Sequence, residues 1–127
     1  MRRVILWVPP CALMTAIFFA SALPASEVTI KIWDKAMHFV VYGALGVLFL
    51  LPLTDGRWSL LTMRRAAPAV LFAMLYGITD EIHQMFTPGR HPDIRDVAAD
   101  TLGAAAAVGL ILVLRVVVGG RRSYTAS

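Results

Sequence analysis

Asp34, His38 and Tyr42 stand four residues apart, so a helix through them stacks a carboxylate, an imidazole and a phenol on one face, with Gly46 continuing the stripe. Further along, Asp80 and Glu81 form an acidic pair. Glu81 shares a helix face with Gln84, and Asp80 shares a neighbouring one with His83 and Gln84. Asp96 and Asp100 repeat the spacing of four. Such groups suit general acid and base work, and the catalytic candidates are Glu81, Asp80, Asp100 and His38. The binding candidates are Asp34, Lys35, His38, Tyr42, Gln84, Arg90, Asp93 and Asp96. Arg90 and Arg95 carry guanidinium forks that match phosphate or carboxylate. His38, His83, Asp80, Glu81, Asp96 and Asp100 are chemically competent ligands for zinc or manganese. There is no His-Glu-x-x-His string, and His83 reads as a group facing headgroup water. No metal is assigned. No nucleophile stands beside the acid pairs apart from Thr79 and Thr101.

The elements that must position these groups are four apolar runs, about 4–23, 36–53, 66–86 and 97–118, each near the roughly 20 residues a helix needs to cross a bilayer. Only four charges fall inside them: Asp80, Glu81, Asp100 and Arg115. A bilayer imposes such a partition, because an ion at its centre costs several kcal/mol. Every backbone amide must also be satisfied within its own segment. The expected fold is all-α, an integral membrane bundle of four transmembrane helices in a single domain spanning 1–127. Pro9 and Pro10 predict a bent or late-starting first helix. That run exceeds the usual length of a signal-peptide core, and it is expected to stay as an anchor.

Composition agrees. Of 127 residues, 58% are hydrophobic and 16% charged, against roughly 45–50% and about 25% in soluble domains. The net charge of +4 comes from arginines scattered between apolar runs, with no continuous basic face, which argues against nucleic acid as a partner. The single Cys11 excludes a disulfide framework. Arg2, Arg3, Arg57, Arg64, Arg65, Arg121 and Arg122 fall on one side of the spans with Arg115 close by, against Lys31, Lys35, Arg90 and Arg95 on the other. The excess places both termini of a multi-pass protein in the cytoplasm. Glu27, Asp34, Asp80, Glu81, Asp93, Asp96 and Asp100 then lie at or near the outer end. Asp80 and Glu81 sit roughly 8–9 Å below Phe86 at about 1.5 Å per residue. Three helices and a loop thus feed one polar layer, read as a pocket or clamp open to the outside.

Three strings carry a resemblance. Asp34–Leu45 reads Asp-Lys-x-x-His-Phe-x-x-Tyr-x-x-Leu, Asp80–Arg90 reads Asp-Glu-x-x-Gln-x-Phe-x-Pro-Gly-Arg, and Asp96–Ala104 reads Asp-Val-x-x-Asp-Thr-x-Gly-Ala. In this order and register the chain resembles the VanZ-like family over spans two to four. Members are small integral membrane proteins, and the founding member is linked to teicoplanin resistance. Asp100 stands where many members carry Asn, which adds a carboxylate to the layer. The resemblance implies a role in the cell envelope, with the lipid bilayer as surroundings and a lipid-linked cell-wall precursor or another envelope protein as partner. It implies an effect on envelope precursors or glycopeptide susceptibility. The alternative is a membrane-bound hydrolase or transferase on a lipid-linked substrate, with metal dependence left open.

Simpler roles compete at single positions. Asp34 and Asp96 are candidate helix caps, Asp93 a turn former, and Arg90 with Asp93 or Asp96 an ordinary loop ion pair. Lys35 suits snorkelling, and Tyr42 and Trp33 suit interfacial anchoring. Capping does not account for Asp80, Glu81 and Asp100, which lie a turn or more inside their spans. A buried clamp holding the three helices together is the competing explanation there. Small residues four apart, Gly103 with Ala107 or Ala105 with Gly109, allow close helix approach, as do Gly43 and Gly46. Gly119 and Gly120 are expected to end the last helix.

Overall fold

The computed structural model describes residues 2–26 and 34–124. Expectations for Glu27, Lys31 and Trp33, and for the side chains of Arg2, Asp34, Arg121 and Arg122, lie outside the described residues. Every regular element among them is helical. In chain order they are α1 (Arg2–Ile5), α2 (Val8–Ser21), α3 (Asp34–Leu53), a 3-10 turn at Trp58–Leu60, α4 (Met63–Gln84) and α5 (Ile94–Tyr124). The break between α1 and α2 falls just before Pro9 and Pro10, which occupy the first turn of α2, where a missing N–H costs nothing.

Three stretches are long and apolar enough to cross a membrane: Arg3–Ser21, Lys35–Leu53 and Ile94–Gly119. Four such stretches were expected, and α4 is not among these three. At 22 residues α4 is long enough, but Arg64, Arg65, Asp80 and Glu81 make it less apolar. The last helix also departs from expectation, continuing through Gly119 and Gly120 to Tyr124. A glycine inside a helix costs only about 1 kcal/mol relative to alanine, and no proline follows to enforce a stop.

At its other end α3 closes in a Schellman arrangement. The Gly56 N–H donates to Leu51 O at 2.8 Å and the Asp55 N–H to Pro52 O at 3.4 Å. Asp55 and Gly56 have φ of 54° and 66°, left-handed values that Asp and Gly adopt more readily than most residues. Arginines gather at this end. Arg3 and Arg57 pair with Asp55 at 3.3 and 3.5 Å, Arg65 donates to Leu53 O, and Arg115 donates to Trp58 O and Ser59 O.

α5 packs mainly on α3 and then on α4, while α2 touches α3 and α4 more lightly. The α3–α5 contact is made by small residues. A side chain on Gly103 would collide with the Phe39 backbone, and one on Gly46 would meet Ala104 at 3.1 Å. Of the two predicted small-residue pairs, Gly103 with Ala107 lies in this contact, since Ala107 faces Gly43. Gly109 faces open space. Tyr42, Leu45, Phe49, Ala69, Ala73, Ala104 and Val108 form the core. Large apolar side chains such as Val40, Leu71, Phe72, Leu102, Leu110 and Val113 point outward, as a lipid-facing surface requires.

Candidate functional site: an acid and histidine group where three helices converge

The buried face of α4 runs Ala66, Ala69, Ala73, Gly77 and then Asp80, Glu81 and Gln84. Its small residues let α5 come close, and its polar residues are delivered at the far end of that contact. A Cβ on Gly77 would lie 2.5 Å from Asp100 Oδ2, so the glycine makes room for a carboxylate on the neighbouring helix. This alanine and glycine stripe is legible in the sequence as a spacing of three and four.

His38 on α3 and Asp100 on α5 meet, Nδ1 to Oδ1, at 2.9 Å. Asp100 has no exposure to solvent. His38 also lies parallel to Tyr42, with ring centroids 6.0 Å apart. Glu81 Oε2 accepts the Asp93 N–H at 2.7 Å, which ties the end of α4 to the start of α5. Asp80 Oδ2 accepts from Gln84 Nε2 at 3.1 Å within α4. Lys35 Nζ bridges Asp96 Oδ1 at 2.7 Å and Asp93 Oδ2 at 3.0 Å, closing the solvent side of the group.

Asp80, Glu81, Gln84, Asp96 and Asp100 are all buried. Three polar atoms in this region, Tyr42 OH, Glu81 Oε1 and Asp100 Oδ2, have no hydrogen-bond partner among the described residues. A buried polar atom without a partner costs about 1–3 kcal/mol, more when charged. Buried polar atoms are paired in the great majority of cases, so three orphans in one region set it apart from ordinary packing.

The structure sorts the candidates. Lys35, His38, Tyr42, Glu81, Asp93, Asp96 and Asp100 gather at the junction of α3, α4 and α5, with Asp80 and Gln84 paired beside them on α4. Asp93, rather than Asp96, caps α5, its Oδ1 taking the Arg95 N–H at 2.8 Å. That N–H, and next the Lys35 ammonium, hold the Asp93 carboxyl below the usual carboxylate range. Arg90 makes neither of the expected loop pairs. Its Nε donates to Leu23 O at 3.3 Å, joining Thr87 Oγ1 on Ser21 O and the Ala25 N–H on Pro88 O in fastening the α4–α5 loop to the end of α2.

His83 stacks on Phe18 of α2, ring centroids 4.3 Å apart. Its Nε2 is buried without a hydrogen-bond partner among the described residues. Tyr76, not among the candidates, donates its hydroxyl to Met14 O at 2.5 Å. Nothing in their spacing announces these two contacts, because both depend on where α2 comes to rest.

No curated protein and no solved structure matches the chain significantly. A family model described as VanZ/LLP1 does match, over residues 5–115, and on that match the chain, with its apolar helices and its motifs converging at one end, belongs to the VanZ/LLP1 family.

Proposed function

We propose that this VanZ-like membrane protein sits in the bacterial cytoplasmic membrane with both termini inside. In this reading the His38–Glu81–Asp96–Asp100 group binds the polar head of a lipid-linked envelope precursor at the outer leaflet. One observation carries the reading. The buried acid and histidine group lies at the end of the bundle opposite the arginines that surround Asp55 and the Trp58 turn, and arginine-rich ends stay in the cytoplasm. α4 is then a fourth crossing, its acids covered by α3 and α5 rather than by lipid. Lys35, half exposed at the edge of the group, supplies a cation where an anionic head would arrive. Glycopeptide susceptibility is the cellular phenotype this reading brings within reach.

The test begins with topology. In a Cys11→Ala background, His91→Cys is exposed to a membrane-impermeant thiol reagent in intact cells. Labelling before lysis is expected. Labelling only after lysis turns the protein over and removes the outer-leaflet reading. A thermal shift of purified protein with a lipid-linked cell-wall precursor follows, expected for the wild type and lost in Glu81→Gln.

A second reading, hydrolysis or transfer on the same class of substrate, is favoured by the His38–Asp100 pair with the Glu81 carboxylate nearby, the equipment of acid and base catalysis. Product formation from the precursor, abolished in a stably folded Glu81→Gln variant, separates catalysis from binding.

A further inference from the structure

The geometry points to a divalent transition-metal site, zinc or manganese, formed by His38, Glu81 and Asp96, one ligand from each of α3, α4 and α5. A ring nitrogen of His38 and a carboxylate oxygen from each of Glu81 and Asp96 lie within 4.8 Å of one another. Zinc bonds to nitrogen and oxygen are about 2.0–2.2 Å long, so small side-chain rotations bring all three onto one ion. One imidazole with two carboxylates is a donor set that both metals accept.

Proximity of such groups is common without a metal, and two further features argue for one here. Glu81 is 94% buried, and its Oε1 has no hydrogen-bond partner among the described residues while Oε2 is held by the Asp93 N–H. One oxygen is thus anchored by backbone and the other is left to a ligand carrying positive charge. The second feature is the His38–Asp100 contact at 2.9 Å. Metal-binding histidines almost always give their other ring N–H to a carboxylate or carbonyl, which sets the tautomer and orients the ring. The Nδ1 contact with Asp100 Oδ1 fixes the His38 ring at the junction in this manner.

Lys35 already touches Asp96 Oδ1, and a carboxylate has a second oxygen to offer, so ammonium and ion can share Asp96. Three protein ligands leave coordination positions for water or a substrate oxygen, the arrangement found in catalytic rather than structural metal sites. The inference holds whichever side of the membrane the group faces, so it stands or falls separately from the topology.

Untagged full-length protein in detergent, stripped with chelator, is titrated calorimetrically with zinc chloride and separately with manganese chloride. Saturation by at least one metal near one equivalent is expected. Affinity should be at least tenfold weaker in His38→Ala and Glu81→Gln and unchanged in His83→Ala, whose ring lies against α2. Folding of each variant is checked by far-UV circular dichroism. Should His38→Ala or Glu81→Gln fail to fold, Asp96→Asn removes a ligand at the helix end, and the same tenfold loss is required of it. Absence of saturable binding of either metal to the wild type overturns the site. So does wild-type affinity in any folded ligand variant, or loss of binding in His83→Ala.

Discussion

His38 Nδ1 and Asp100 Oδ1 are 2.9 Å apart across 62 residues of sequence, with the carboxylate wholly buried. The pair joins α3 to α5 at the polar end of a contact otherwise made by glycine and alanine. Removing either partner strands a buried polar group. His38→Ala and Asp100→Ala should each cost about 3 kcal/mol, read as a lower thermal midpoint in detergent. The double variant His38→Ala/Asp100→Ala should cost less than their sum, with a coupling of about 1–3 kcal/mol. Strict additivity would show that the contact contributes nothing to stability.

The glycines of α5 should behave oppositely according to what faces them. Gly103 abuts the Phe39 backbone, whereas Gly109 faces nothing within 4 Å. Gly103→Ala must push two helix backbones apart and should cost at least about 2 kcal/mol. Gly109→Ala should be neutral or stabilise by up to about 1 kcal/mol through helix propensity. Chemical denaturation of the two variants side by side checks the contrast.

Gly77→Ala is a sharper probe, because the added methyl would come within 2.5 Å of Asp100 Oδ2. Either Asp100 swings away from His38 or α4 and α5 separate. We expect a lower thermal midpoint, and much less additional loss when Gly77→Ala is placed in an Asp100→Ala background. Equal losses in both backgrounds would remove Asp100 as the group that requires glycine there.

Asp93 should give the protein a pH dependence at the acid end. Its carboxyl is held low first by the Arg95 N–H and then by Lys35. A depressed folded value means stabilisation that is fully present above about pH 4, the ordinary range of aspartate. It is lost as pH falls through the folded value. Asp93→Asn should therefore lie below the wild type in thermal midpoint at pH 6, and the two curves should converge as pH drops below about 4. The Lys35 pair is exposed enough that added salt should narrow the gap at pH 6.

The membrane character of the chain was legible because hydrophobicity acts locally. A run such as Lys35–Leu53 must satisfy its own amides in a helix whatever surrounds it, and the run is visible in one dimension. The same holds for the stripe that puts His38 and Tyr42 on one face, since the helical period depends on backbone hydrogen bonding alone. The gathering of arginines at one end also follows from segment order, because successive helices reverse direction. The family's motifs were visible for the same reason, each lying within one helix or turn.

Which of the acids meet was decided only by the tertiary structure. From sequence Asp96 reads as the cap of α5 and Asp93 as a turn former, but Asp93 takes the cap, its Oδ1 accepting the Arg95 N–H while its own N–H is held by Glu81. Arg90 was placed beside the acids by proximity in sequence, but the loop's attachment to α2 carried it to Leu23 O. Asp100 reaches His38 only because Gly43, Gly46 and Gly103 let α3 and α5 approach, and Gly77 clears its second oxygen. Pairing between helices depends on how closely two backbones can approach and in what register. That is set by the sum of contacts along both faces, so no single motif records it.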